Sequence, residues 1–127
     1  MRKERILVVE DDDEIREMTK IGLEHAGYHV LTAGTGTKAL QVLSEDIPDM
    51  IILDVLLPEV DGMALCRAIK GNPRTKGIPV LIVTALSDFL TPRDVQLLGA
   101  SDLLTKPFEM KDLLSKIDKV FMKESGI

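Results

Sequence analysis

Cysteine is almost missing from this chain. One residue, Cys66, occurs among 127, which excludes an internal disulfide and suits a reducing compartment. No apolar run approaches the length that crosses a bilayer. No basic cluster stands out from a formal charge of -5, which argues against direct nucleic-acid binding. There is no linker-like or low-complexity stretch, so a single domain over residues 1–127 is expected. The start, Met1-Arg2-Lys3-Glu4-Arg5 followed by Ile6-Leu7-Val8-Val9, has the outline of a leader. Its apolar part is too short and runs straight into acids, so a cytoplasmic protein is expected, with no membrane association.

What remains is ordinary globular material. The chain is 45% apolar and 29% charged, and is long enough to bury a core without staples. Ile6–Val9 is a continuous aliphatic run of the kind buried on both faces of a parallel sheet. Ile15, Met18, Thr19, Gly22, Leu23 and Ala26 then recur at helical spacing and read as a core-facing stripe, with Gly27 as the C-terminal stop. Tyr28–Thr32 is a second strand. Ala39, Leu40 and Leu43 mark a second helix, Met50–Leu53 a third strand, and Met63, Leu65, Cys66 and Ile69 a third helix. Val80–Val83 is another doubly buried strand. Thr91-Pro92-Arg93-Asp94 is a helix start, with a Thr cap, a Pro in the first turn and an acid at the third position. Asp102–Leu104 is a short fifth strand, and Met110, Leu113, Leu114, Ile117, Val120 and Phe121 form a 3.6-period stripe on a last helix.

Five strand–helix units in strict alternation predict a doubly wound (βα)5 α/β fold, with a parallel five-stranded sheet covered on both faces. All carboxyl ends of such a sheet point to one edge, where ligands bind. The residues delivered there are Glu10, Asp11 and Asp12 after the first strand, Asp54 after the third, Thr84 after the fourth and Lys106 after the fifth. Crowded carboxylates repel, and a hard divalent cation such as Mg²⁺ relieves that repulsion through all-oxygen ligation. Carboxylate, metal, hydroxyl and ammonium together suit phosphoryl transfer, with a carboxylate as nucleophile.

These residues carry a resemblance. Glu10-Asp11, Asp54 followed by Pro58 and Asp61-Gly62, Thr84-Ala85 and Lys106-Pro107 stand in order at successive strand ends. Over essentially its whole length the chain resembles the receiver domain of two-component response regulators, of the single-domain chemotaxis type. The resemblance implies a flavodoxin-like sheet of order 2-1-3-4-5. It implies that Asp54 accepts a phosphoryl group from a sensor histidine kinase or a histidine phosphotransfer protein. It implies Mg²⁺ held by Glu10, Asp11, Asp54 and the backbone carbonyl of Leu56, with Lys106 on a phosphoryl oxygen and Thr84 moving to the phosphate. The Lys106–Pro107 peptide is expected to be cis. Such a protein is a signalling switch, not an enzyme beyond catalysing its own phosphorylation and dephosphorylation. The phosphodonor is expected to dock near the first helix. A protein target is expected on the fourth helix, fifth strand and fifth helix.

The copy departs from the pattern in places. Many receivers carry an aromatic in the fifth strand where Leu103 stands. Leu56 and Leu86, flanking the phosphorylation site, are aliphatic and unable to position water, which predicts a long-lived phosphoryl group. Phe89-Leu90 is an apolar pair that is either exposed for a target or buried beneath the fourth helix.

Other readings are weaker. Haloacid-dehalogenase-like phosphatases use an acid two residues after the nucleophile, where Leu56 stands. Gly34-Thr35-Gly36-Thr37-Lys38-Ala39 imitates a dinucleotide fingerprint, but it follows the second strand rather than the first. His25 and His29 read as surface residues and Cys66 as core packing. A receiver excised from a longer transcription factor or hybrid kinase is the alternative to a free-standing one.

Overall fold

The computed structural model describes residues 4–57, 61–85 and 90–124. The elements are β1 (Arg5–Val9), α1 (Asp13–His25), β2 (His29–Ala33), α2 (Gly36–Glu45), β3 (Met50–Leu53), α3 (Gly62–Gly71), β4 (Val80–Thr84), α4 (Pro92–Leu97), β5 (Asp102–Thr105) and α5 (Met110–Glu124). The strands form one parallel sheet in the order β2-β1-β3-β4-β5. The flavodoxin-like expectation therefore holds in both order and direction.

The aliphatic runs split cleanly by the two-residue period of a strand. Leu7 and Val9, Ile51 and Leu53, and Val80 and Ile82 share one core with Ala39 and Leu43 of α2 and Leu65, Cys66 and Ile69 of α3. Ile6 and Val8, Met50 and Ile52, and Leu81 and Val83 share the other with Leu23 of α1 and Leu113, Ile117 and Val120 of α5. Each helix closes over one face because its apolar stripe has nowhere else to be dry. Tyr28 ties α5 to this second core, with its ring against Phe121 and its hydroxyl on the Asp118 carboxylate at 3.2 Å.

Local signals set the ends. The side chain of Asp12 accepts from the backbone N–H of Ile15 and caps α1, and Gly27 follows with φ 100, the left-handed stop that glycine supplies. Thr91 and Asp94 form the reciprocal capping box of α4, with Pro92 in its first turn. Leu90 is buried against the α2–α3 core, which decides for burial between the two readings of that residue. Phe89 lies outside the described residues. Met18 also departs from expectation: it is 70% exposed. The stripe of α1 is wider than its core contact, so Thr19 and Leu23 point inward while Met18 and Ile21 face outward.

Candidate functional site

Register alone brings the chemistry together. Val9 pairs with Leu53, so the next residues, Glu10 and Asp54, leave adjacent strands side by side. The backbone N–H of Asp54 donates to Val9 at 3.1 Å, and that of Glu10 donates to Ala33 at 3.0 Å. Thr84 pairs with Thr105, and the N–H of Lys106 donates to the Thr84 carbonyl at 3.0 Å. The order of strands reverses between β1 and β3, which opens the crevice where such folds bind ligands.

Glu10, Asp54 and Thr84 are buried, and Asp11 is exposed at the rim. Lys106 reaches across from β5 and donates to both buried acids, to Glu10 Oε1 and to Asp54 Oδ2, the latter at 2.6 Å. The second oxygen of each acid is also used. Asp54 Oδ1 accepts from the Leu56 N–H at 2.9 Å, and Glu10 Oε2 accepts from the Asp12 N–H at 3.2 Å. Burial pushes the Glu10 carboxyl above its ordinary range, against the pull of the Lys106 hydrogen bond. Burial works the other way on Lys106, but hydrogen bonds to Asp54 and Glu10 outweigh it and leave its ammonium pKa raised. The lysine is therefore firmly charged at neutral pH.

Glu10, Asp11 and Asp54 each offer one carboxylate oxygen, and these lie within 4.8 Å of one another. Three hard oxygens in that space fit a cation of the Mg²⁺ class. One ammonium against three carboxylates leaves the cluster short of positive charge.

The loop after Asp54 is held from below. Leu56 and Asp61 form an isolated antiparallel bridge, and Asp61 caps α3 by accepting from the Met63 N–H at 2.9 Å. Gly62 lies directly on the backbone of Val55, and a Cβ there would run into the Cα and carbonyl of that residue. The Asp-Gly pair thus keeps the start of α3 pressed against the strand that delivers Asp54. Leu56 is 46% exposed at the mouth of the site. Pro58 and Leu86 fall outside the described residues.

A response regulator receiver domain model matches residues 6–118. The chain belongs to the response regulator receiver family. The sequence is 40% identical over 123 residues to the DNA-binding dual master transcriptional regulator RpaA of Synechocystis sp., covering 97% of this chain and 51% of that protein. The chain spans about half the length of the curated relatives it matches. Among solved structures, a putative response regulator from Chloroflexus aurantiacus is 39% identical with a TM-score of 0.86, covering 94% of this chain and 98% of that one. The signal receiver domain of a histidine kinase from Syntrophus aciditrophicus is 42% identical with a TM-score of 0.82, covering 98% and 92%.

Within this receiver, the residues expected at the site take up definite positions. Glu10, Asp54 and Lys106 converge in contact, Asp11 stands within reach at the rim, and Thr84 ends β4 with its side chain buried. The Lys106–Pro107 peptide is cis. Leu103 lies half-buried against the α2–α3 core. The glycine-rich imitation of a nucleotide loop sits at the end of the edge strand β2, where Thr35 simply caps α2. His25 and His29 are exposed and Cys66 is buried. Burial raises the Cys66 thiol pKa, which makes it a poor nucleophile.

Sequence reasoning missed two features. An apolar groove runs from Ile15, Met18 and Ile21 of α1 to Lys106, Pro107 and Phe108. Its signal was present, because α1 carries more apolar residues than one face needs. The second is Arg16, one turn into α1, where the positive helix end disfavours a cation that lacks acceptors of its own.

Proposed function

We propose that the chain is a phospho-acceptor switch in which Asp54 takes a phosphoryl group from a phosphohistidine of a sensor histidine kinase or histidine phosphotransfer protein. The single observation carrying this is the convergence of Glu10, Asp54 and Lys106, with Asp11 in reach, at the carboxyl edge of the sheet. An Asp54 carboxylate oxygen attacks phosphorus, the P–N bond breaks, and the imidazole leaves with the electron pair of that bond. Mg²⁺ on Glu10, Asp11, Asp54 and the Leu56 carbonyl would offset carboxylate and phosphoryl charge. Lys106 transfers its pairing from the carboxylates to a phosphoryl oxygen, and the Thr84 hydroxyl hydrogen-bonds another. The protein catalyses its own phosphorylation and dephosphorylation and acts on no other substrate.

The groove on α1 supports docking of the phosphodonor, since Met18 and Ile21 present an exposed apolar strip that ends at Lys106. The target is a protein, met through α4, β5 and α5. The net charge of -5 disfavours direct nucleic-acid contact by the receiver itself. Among the described residues no helix is long and apolar enough to cross a membrane, and with a single cysteine this supports a cytoplasmic setting. The length of the relatives favours a second arrangement, a receiver joined to an output domain. Intact mass of the endogenous protein distinguishes the two.

Incubation with acetyl phosphate and Mg²⁺, followed by intact mass spectrometry, tests the reading. One phosphoryl group is expected on the wild type and none on Asp54→Ala. No gain in the wild type would refute it.

A further inference from the structure

We infer that Arg16 is a positioning residue for the cation site, locking the backbone of the acidic loop so that Glu10 and Asp11 present their carboxylates together. This rests on the proposed Mg²⁺ site. Arg16 Nη1 donates to the carbonyl of Glu10 at 2.9 Å and lies 3.5 Å from that of Asp11, the outer limit of a hydrogen bond. Nη2 donates to the Asp13 carboxylate at 2.5 Å. Gly34 lies alongside the guanidinium, close enough that a Cβ there would stand 3.1 Å from Nη1. The Arg16 side chain is 24% exposed, so this is a wedged fork rather than a surface arm.

The choice of acceptors is informative. Arg16 donates to main-chain oxygens of the two proposed ligand residues, and among the described residues the carboxylate it holds is that of Asp13. The carboxylates of Glu10 and Asp11 are left for Lys106 and the metal. A planar guanidinium has enough donors in fixed directions to hold several oxygens at once, whereas an ammonium is a point charge. Rigid support of this kind outside the ligands typically changes metal affinity by 10–100-fold.

Charge and position predict opposite signs. Removing a cation from beside an acidic site should tighten Mg²⁺ binding if only charge matters. Removing the fork should weaken it if position matters. Isothermal titration of the metal-free protein with MgCl₂ reads the difference, at a temperature where circular dichroism shows each variant folded. Arg16→Met is expected to bind Mg²⁺ about tenfold more weakly, even though it removes a positive charge. Arg16→Lys keeps the charge, is the milder change for folding, and should also bind more weakly than wild type. Unchanged or tighter binding by Arg16→Met, with only its melting temperature lowered, would reduce Arg16 to a structural brace. Wild-type affinity in Arg16→Lys would overturn the role of the fork. Failure of the wild type itself to bind Mg²⁺ would instead remove the metal reading and this inference with it.

Discussion

Replacing Lys106 by Met should make stability steeply dependent on pH. Lys106 is the shared partner of Glu10 and Asp54, whose side chains are each 6% exposed. The methionine keeps the apolar stem and removes the ammonium, leaving two buried carboxylates facing each other with Asp11 close by. Stripping one partner from a buried ion pair ordinarily costs about 3–5 kcal/mol. The fold has a cheaper escape, which is to bind a proton on Glu10. From an ordinary carboxyl value of 4.5, holding one proton at pH 7 costs about 1.4 kcal/mol per pH unit over 2.5 units, about 3.4 kcal/mol. At pH 5 the same step costs about 0.7 kcal/mol.

The sign follows from linkage. The folded variant has a carboxyl pKa above that of the unfolded chain. Its stability is therefore fully present below the unfolded value of 4.5 and is lost as pH rises through the folded value. Urea unfolding of wild type and Lys106→Met from pH 5 to 7.5, without Mg²⁺, measures the gap. It should widen from under 1 to about 4 kcal/mol across that interval. A gap that is the same at both ends would show that Lys106 stabilises through packing rather than as the counter-ion of this cluster.

Three further outcomes follow. Glu10→Gln should raise the melting temperature of the metal-free protein at pH 7. Burial lifts the Glu10 carboxyl pKa, so its ionised form opposes folding above the ordinary range; a drop in melting temperature, read by calorimetry, would contradict this. Gly62→Ala should destabilise by about 2–3 kcal/mol in urea, because the new methyl meets Val55 main chain that has no room to give, and phosphorylation by acetyl phosphate should slow along with it. Leu56→Asn should shorten the life of the phosphoryl group severalfold, followed by loss of the added mass, since Leu56 sits half-exposed beside Asp54 with no group able to orient water.

The fold was legible because every level of the sequence agrees. Alternating strand and helix patterns allow few right-handed windings, and caps such as Asp12 and the Thr91–Asp94 box mark helix starts by mechanism. The cluster was legible for a related reason: once strands are parallel, residues that follow them must share an edge. Glu10, Asp54 and Lys106 needed no distance information to be grouped. What stayed hidden depends on which way a side chain turns. Met18 fits the core stripe of α1 by spacing and yet faces solvent, because α1 packs through only part of its apolar arc. Leu90 could be placed by the sequence either on a target face or in the core, and it is core. Arg16 reads as an ordinary charge on a helix surface, since the oxygens it binds belong to the main chain and leave no mark in the sequence.

The site is assembled without being electrically balanced. Each oxygen of Glu10 and Asp54 has a donor, so no buried acceptor is orphaned there. The charge is still unbalanced, because Lys106 serves two buried acids while Asp11 waits at the rim. Hydrogen-bond satisfaction and charge neutrality are separate requirements, and only the first is met by the protein alone. That division suits a switch. On the proposed function, the hydrogen bonds would keep the nucleophile in place through rounds of phosphorylation, and the residual negative charge would supply affinity for a cation. A core of matched pairs would be more stable and would give up that affinity. The same reasoning explains why the acids come from β1 and β3 and the lysine from β5. On the proposed function, phosphate on Asp54 would draw Lys106, the residue that follows β5, toward a new oxygen.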